Sequence, residues 1–359
     1  MSLVKEILKP LAEDGAAMTR QQAAAVLEDI LAGNAPDVET AALLAVLATR
    51  GEQAPELAGF VDVMRARVTP VNLSAEERDH LVDVVGTGGG GPATFNISSG
   101  AALVAAAAGA KVAKHGNRAV TSRCGSADVL EALGVPVNLN AELAVACLRE
   151  TGFMFLFAPL FHPAMKIIGP LRRALGFRTI FNLCGPLTNP AGARTQVIGV
   201  LAPSRVLLVG RTLATLGARR AFVVHGTDGM DELTTTAESV VARVEEELPT
   251  EGDGALAEPK LKAARITPEM AGVPRAHLDQ LMGGDIPRNV EIIMDVITGI
   301  RGPHRDIVLL NAAAALVAVG MAGDLKEGVA MGAEAIDSGE AAATLAKLRQ
   351  FGAKYGSQA

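Results

Sequence analysis

Aromatic side chains are scarce in this sequence of 359 residues: there is no Trp, one Tyr and 10 Phe, 3% in all. The core must therefore be built from Ala, Leu, Val and Ile, a composition suited to close-packed helices and parallel strands. Cysteine is scarce too. Cys124, Cys147 and Cys184 lie far apart with no CxxC, which excludes a disulfide framework and a zinc site and fits a reducing, cytoplasmic setting. Basic charge is not in excess. The formal net charge is −6 and the pI about 5.6, which argues against a nucleic-acid or anionic-membrane binder. The longest uncharged run, Ile307–Gly323, has 17 residues, is rich in Ala and holds Asn311; it reads as a buried core helix rather than a membrane span. The N-terminal stretch carries acids early and lacks the apolar segment of a signal peptide. What is present is 49% hydrophobic residues and a mean hydropathy of +0.30, enough for a large core and too apolar for disorder. The length suggests about two domains.

Residues 1–70 read as helices alone. Thr19 caps one through Ala32, a second covers Asp37–Arg50, and a third covers Pro55–Val68 before Pro70. At Leu81 the pattern changes. LVDVV reads as a strand, a glycine loop follows, then an Ala-rich buried helix, then KVAKHG at the edge of a strand. Ser126 is expected to cap a helix ending at Gly134, and Ala141–Thr151 is another helix. FMFLF (153–157) reads as a strand buried on both faces, QVIGVL (196–201) and AFVV (221–224) as further strands, 204–216 as a helix, and 289–351 as mostly helical. This is the βαβ pattern of a mainly parallel sheet flanked by helices. A helical excursion over about 162–188 is expected to return to the N-terminal helices and leave a cleft. The fold class is α/β: a small all-helical domain (1–74 and about 162–188) and a larger α/β domain (75–161 and 189–359).

Four clusters carry chemistry. The first runs from Asp83 through the glycine loop to Ser99. Glycines after a strand and before a helix let the backbone approach a ligand, and the helix N-terminus offers N–H groups to phosphate. Gly86, Gly88 and Gly91 match GxGxxG formally, but no acid occurs from Val84 to Ala127, as a dinucleotide site requires. No Gly-Lys-Ser/Thr follows, so a P-loop is also excluded. The same run carries Lys111, Lys114, Arg118 and Arg123, which favours a phosphate-rich ligand. The second cluster is Lys114 to Ser122. The third is His225 to Leu233, where Asp231 and Glu232 follow a strand and suit Mg²⁺, which takes one or two carboxylates plus substrate phosphates. The fourth joins Ala158 and His162, then Arg172 and Arg173, then Phe181 to Pro190; an Arg there suits a carboxylate.

The ordered motifs GTGG, NIS, KHGNR, GSAD, GPLTNP and MDE together resemble the anthranilate phosphoribosyltransferases of tryptophan synthesis, over nearly the whole chain and least over about 235–285. The resemblance implies transfer of the phosphoribosyl group of 5-phosphoribosyl 1-diphosphate to the amine of anthranilate, giving N-(5-phosphoribosyl)anthranilate and pyrophosphate. It implies Mg²⁺ as cofactor, a homodimer, no nucleic acid and no membrane. It assigns Gly86, Gly88, Gly89, Gly90, Thr94, Asn96, Ile97, Ser98 and Ser99 to the sugar diphosphate. Lys114, His115, Gly116, Asn117, Arg118, Ala119, Val120, Thr121, Ser122 and Ser126 join them. Anthranilate falls to Gly86, Asn117, Ala158, His162, Arg172 and Gly185, the metal to Ser98, Asp231 and Glu232, and catalysis to Lys114 with His115 as a candidate. Three departures stand out: Gly90 where the family usually has Asp, Ser99 where Thr is usual, and Arg123-Cys124 where Lys-Ser is usual. A nucleoside phosphorylase of similar architecture is the other enzymatic reading, and a non-catalytic nucleic-acid-binding relative the third.

Overall fold

A computed structural model describes residues 2–88, 90–119, 123–245 and 260–356. Four helices open the chain: α1 (Leu3–Glu13), α2 (Arg20–Leu31), α3 (Asp37–Arg50) and α4 (Ala54–Ala66). Their ends follow from local chemistry. The Thr19 hydroxyl accepts from the Gln22 N–H at 3.2 Å, and the Gln22 side chain accepts from the Thr19 N–H at 2.9 Å, a reciprocal cap. Gly51, at φ 90°, ends α3 where a side chain would be strained. The third helix expected from sequence stops at Ala66, short of Val68.

After α5 (Ala75–Asp79) the α/β part begins with β1 (Leu81–Gly86), α6 (Ile97–Ala107), β2 (Lys111–Gly116), α7 (Ser126–Ala132), α8 (Ala141–Thr151) and β3 (Phe153–Phe157). The excursion comprises α9 (Ala158–Phe161), α10 (Met165–Leu175) and α11 (Ile180–Leu187). Then come β4 (Thr195–Gly199), α12 (Pro203–Thr215), β5 (Arg220–Gly226), β6 (Ser239–Glu245) and β7 (Lys260–Ile266). Helices α13 (Ile286–Ile297), α14 (Pro303–Ala318), α15 (Leu325–Asp337) and α16 (Glu340–Tyr355) complete it. The uncharged run lies in α14 from Ile307 to Ala318, every residue of that stretch being buried, and its last five residues follow the helix.

Among the described residues seven strands form one sheet in the order β3-β2-β1-β4-β5-β6-β7. The pairings from β3 through β5 are parallel, and β6 and β7 add antiparallel to the β5 edge. Neither β6 nor β7 was expected. Strand β7 is an exposed edge carrying Lys260 and Lys262, so it lacks the apolar run that marks the other strands. FMFLF is buried as expected, although it forms the opposite edge of the sheet.

Two apolar cores lie on the two sides of the sheet. One packs α6, α7, α8, α13, α14 and α16 against it. The other unites Leu27, Leu43, Leu47 and Phe60 of the N-terminal helices with Ile168, Ile180 and Phe181 of the excursion. It continues into Val206 and Leu213 of α12 and Ile198 and Val223 of the sheet. The excursion thus packs with the opening helices, as the sequence suggested, but the two share their core with the sheet.

The cap of α7 differs from expectation. Gly125, not Ser126, is the N-cap, and the Asp128 carboxylate does the capping by accepting from the N–H groups of Gly125 and Ala119, each at 2.9 Å. A carboxylate at the third helical position reaches back to both donors; the Ser126 hydroxyl, one residue inside, donates instead to the Asn117 carbonyl at 3.3 Å.

Candidate active site

The strand order reverses between β1 and β4. From β1 the chain winds outward through β2 to β3, then returns to β4 on the other side of β1. Such a switch point opens a crevice beyond the carboxyl ends of the two strands, the usual place for a ligand in an open α/β sheet. The last residues there, Gly86 and Gly199, are register partners. Asp231 occupies the gap between them. A Cβ on Gly86 would lie 2.6 Å from Asp231 Oδ2, and one on Gly199 would overlap the Asp231 carbonyl oxygen. The two glycines are what admit this carboxylate to the switch point.

Asp231 is held from several sides. The Gly88 N–H of the glycine loop donates to Asp231 Oδ2 at 3.2 Å. Just beyond the acidic pair, Asn311 in the middle of α14, 0% exposed, accepts from the Leu233 N–H at 3.0 Å and donates to the Leu233 carbonyl at 2.8 Å. The lone polar residue of the uncharged run is thus the anchor of the acidic loop. The Ser98 backbone at the start of α6 and the Lys114 charge both favour the ionised form of Glu232, and Lys114 also interacts with the Asp83 charge.

Burial governs the electrostatics. Desolvation, followed by the neighbouring Asp231 charge, pushes Glu232 up to about 8, against the pull of Lys114; desolvation also raises Asp231. Lys114, 1% exposed, is lowered by desolvation and donates to the Val84 carbonyl at 2.6 Å and to the Ser98 hydroxyl at 3.4 Å. Two adjacent desolvated carboxylates, with the Ser98 hydroxyl nearby, form a hard-oxygen set short of positive charge. Mg²⁺ fits that set, the remaining coordination coming from substrate phosphate and water. Among the described residues no cluster of three or more His, Cys, Asp or Glu exists that could hold a metal unaided.

Behind this layer Asp83, buried and with desolvation raising it to about 6, accepts from the His115 N–H at 3.1 Å and from the Asn189 amide at 2.8 Å. Asn189 also donates to the Ala113 carbonyl at 2.8 Å. The GPLTNP turn is thereby tied to β1 and β2. His115 and His162, each 5% exposed, meet Nε2 to Nε2 at 3.0 Å. Arg172, near the end of α10, donates to Asn182 Oδ1 at 3.3 Å and lies 5.7 Å over the Phe181 ring. Gly185 sits on α11 with nothing within 4 Å of where a Cβ would lie, open space for a ligand. Ala158 opens α9, and its carbonyl accepts from the His162 N–H at 3.0 Å.

Several expected residues carry other loads. Ser99 and the Ile97 side chain are buried inside α6. Asn96 is bound at both ends, donating to the Cys124 carbonyl and accepting from Asn289. Arg118 is taken up by Asp128 and Glu131, and Asn117 accepts from the Arg118 N–H. The basic run is not one patch. Lys111 begins β2, at the end of the strand away from Gly116, about 17 Å along an extended chain. Gly116 ends β2, Ala119 supplies its N–H to Asp128, and Thr94 bridges to Met282. Gly89, Val120, Thr121 and Ser122 lie outside the described residues. Asp83 and Asn311 were given no role from sequence, although a charge inside LVDVV and an amide inside an apolar run were the visible signals.

A family model described as the α/β domain of a glycosyl transferase family matches residues 78–342, and one for its helical bundle domain matches residues 5–68. The anthranilate phosphoribosyltransferase of Methylorubrum populi is 47% identical over 334 residues, 93% of this chain and 94% of that protein. The chain belongs to the anthranilate phosphoribosyltransferase family. A crystal structure of the Thermus thermophilus anthranilate phosphoribosyltransferase superposes with a TM-score of 0.86 at 42% identity, covering 98% of this chain and 99% of that one. The Saccharomyces cerevisiae enzyme, in complex with PRPP and Mg, superposes with a TM-score of 0.85 at 25% identity, with 98% of each chain covered. Against the family pattern, position 90 is the notable departure: a Cβ on Gly90 would run into the Arg178 guanidinium.

Proposed function

We propose that the switch-point crevice performs the family's reaction: it transfers the phosphoribosyl group of 5-phosphoribosyl 1-diphosphate to the amine of anthranilate and releases pyrophosphate. The observation that carries this reading is the desolvated Asp231–Glu232 pair, with Asp231 seated against Gly86 and Gly199 and Glu232 interacting with the Lys114 charge. It is a place built for a metal-bound polyphosphate.

An arylamine is a weak nucleophile, so charge on the departing pyrophosphate must be neutralised as the ribose C1 gains oxocarbenium character. Mg²⁺, when bound by Asp231, Glu232 and Ser98, supplies part of that neutralisation. Lys114, fixed by the Val84 carbonyl, supplies a cation that need not reorganise during the reaction. The glycine loop, free of side chains, lets the diphosphate come close to the acidic pair and to Lys114. Arg172, oriented by Asn182 and Phe181, grips the anthranilate carboxylate and brings the amine to C1. Gly185, Ala158 and His162 line the ring's place. The chain works as two units, 1–74 with about 162–188 and 75–161 with 189–359, closing on the substrates between them. It acts as a homodimer in the cytoplasm. Among the described residues no helix is long and apolar enough to cross a membrane.

The test follows anthranilate fluorescence with Mg²⁺ and the sugar diphosphate, a signal the Trp-free chain leaves clear. Magnesium-dependent loss with pyrophosphate release is expected, and Asp231→Asn with Glu232→Gln should abolish the magnesium dependence. Turnover of nucleosides with phosphate, and indifference to anthranilate, would instead favour the nucleoside phosphorylase reading.

A further inference from the structure

The start of α6 is tied to a distant segment, 281–289, by a chain of two side-chain amides. Asn289 of α13, 2% exposed, donates through Nδ2 to Asn96 Oδ1 at 3.0 Å. Its own Oδ1 accepts from the Gly284 N–H at 2.8 Å. Asn96, the N-cap residue of α6, in turn donates through Nδ2 to the Cys124 carbonyl at 3.2 Å. A backbone donor closes one end of this chain and a backbone acceptor closes the other. Neither can exchange roles, so both amides are locked in one orientation; turning either over would set two donors or two acceptors face to face.

The backbones beside the chain also meet. The Gly283 N–H donates to the Ala93 carbonyl at 2.9 Å, the Phe95 N–H donates to the Leu281 carbonyl at 3.4 Å, and Thr94 pairs with Met282 in an antiparallel bridge. Gly283 permits the approach: a Cβ there would lie 2.7 Å from the Phe95 backbone and 2.8 Å from Asn289 Oδ1. The exit of the glycine loop, 93–96, thus lies against 281–283, with Asn289 as the side chain that fastens it. The Asn96 carbonyl accepts from the Ser99 and Gly100 N–H groups, each at 3.1 Å. Whatever fixes Asn96 therefore fixes the first turn of α6, and with it Ser98, whose hydroxyl accepts from Lys114 at 3.4 Å.

We infer that Asn289 is a positioning residue for the sugar-diphosphate side of the crevice, acting through Asn96 to hold the first turn of α6, and so the Ser98 hydroxyl, in place beside Lys114. The inference rests on the phosphoribosyl-transfer reading above. Asn289 itself touches no substrate. Arg172 and Gly185, expected at anthranilate, stand on the excursion and take no part in the chain, so the effect falls on one substrate.

Asn289→Asp is nearly isosteric. It keeps the acceptor for the Gly284 N–H but turns the donor into an acceptor, so two oxygens meet at Asn96 or, if Asn96 turns over, at the Cys124 carbonyl. Asn289→Ala removes the link without adding charge. In both, the KM of the sugar diphosphate and the Mg²⁺ concentration for half-maximal rate should rise about tenfold, while the anthranilate KM stays within about twofold. Asn96→Ala should raise the same two constants, and Asn289→Ala should add little to it. Gly283→Ala, which forces 281–283 away from 93–96, should raise them as well, and it carries the test if the Asn289 variants fail to fold in thermal melts. A rise confined to Asn289→Asp would overturn the inference, because repulsion by the new charge would account for it. Losses that multiply independently with Asn96→Ala, unchanged constants in Gly283→Ala, or a loss shared equally by both KM values would also overturn it, the last by leaving Asn289 a role in the fold alone. Calorimetry on the wild type separates the two readings: failure to bind the sugar diphosphate with Mg²⁺ would refute phosphoribosyl transfer itself, and this inference with it.

Discussion

Replacing Gly86 with Ala puts a methyl group in place of a hydrogen where the structure leaves no room for it. The new Cβ would stand 2.6 Å from Asp231 Oδ2 and 3.4 Å from its Cγ. To reach the 3.4 Å of ordinary contact the carboxylate must withdraw by about 0.8 Å. Gly86 ends a strand and has no positive φ, so Ala meets no backbone strain, and the atom in its way belongs to a side chain that can turn. The cost to folding should therefore be small, below about 1–3 kcal/mol for overpacking a rigid core. The cost to catalysis should be larger. A misplacement of 1 Å in a positioned catalytic group is worth about 100-fold, so Gly86→Ala should lower kcat/KM by roughly 10- to 100-fold and raise the Mg²⁺ concentration for half-maximal rate.

The assay is initial-rate fluorescence across a Mg²⁺ series, with thermal melts alongside. A double-mutant cycle separates this effect from direct crowding of the substrate. If the Ala acts through Asp231, Gly86→Ala should add little to the loss already caused by Asp231→Asn. Gly169→Ala is the control, since Arg173 is its nearest neighbour at 3.5 Å and Ala is the better helix former. Full activity in Gly86→Ala, or losses that multiply independently with Asp231→Asn, would refute the claim that this glycine exists to seat Asp231.

Three further outcomes follow from named contacts. Arg172→Ala should raise the anthranilate KM at least about tenfold while leaving that of the sugar diphosphate nearly unchanged, as loss of a charge-assisted grip on one substrate requires; an unchanged anthranilate KM would remove Arg172 from that role. Asn311→Ala strips both partners from the Leu233 backbone, so chemical denaturation should show a loss of about 1–3 kcal/mol together with weaker Mg²⁺ dependence, and retention of both would mean the acidic loop is held elsewhere. Gly90→Asp would bring a carboxylate against Arg178 at the glycine loop and should lower the Mg²⁺ needed for half-maximal rate; an unaltered Mg²⁺ titration would mean that Arg178 absorbs the added charge.

The parts of this molecule that could be read from the sequence are those whose causes lie within a few residues. Thr19 and Gln22 cap each other across three positions, and Gly51 stops α3 by its own backbone, so α2 and α3 were legible nearly to the residue. The glycine loop and the acidic pair after β5 were legible as candidates because each carries its residue types in one short run, and the fold brings them together through the Gly88 N–H on Asp231. The four cations of residues 84–127 show the limit of that reasoning. Adjacency in sequence suggested one basic patch, yet strand geometry sends Lys111 to the far end of β2, and Arg118 finds Asp128 and Glu131. Only Lys114 of the four is buried beside the acidic pair.

What stayed hidden is the set of polar residues that act at long range. Asp83 lies 106 positions from Asn189, and Asn311 lies 78 from Leu233; neither pairing leaves a trace in local pattern. Each was visible only as an anomaly, a charge within a strand or an amide within an apolar helix. Such anomalies carry information because burying a polar group without a partner costs more than most single contacts return. A polar residue inside an apolar run therefore implies that a partner is waiting elsewhere in the chain. Here the two partners are a turn that crosses from the helical excursion and the loop that bears Asp231 and Glu232. Asp83 and Asn311 thus fasten the turn and the loop that must keep their places for the crevice to keep its shape.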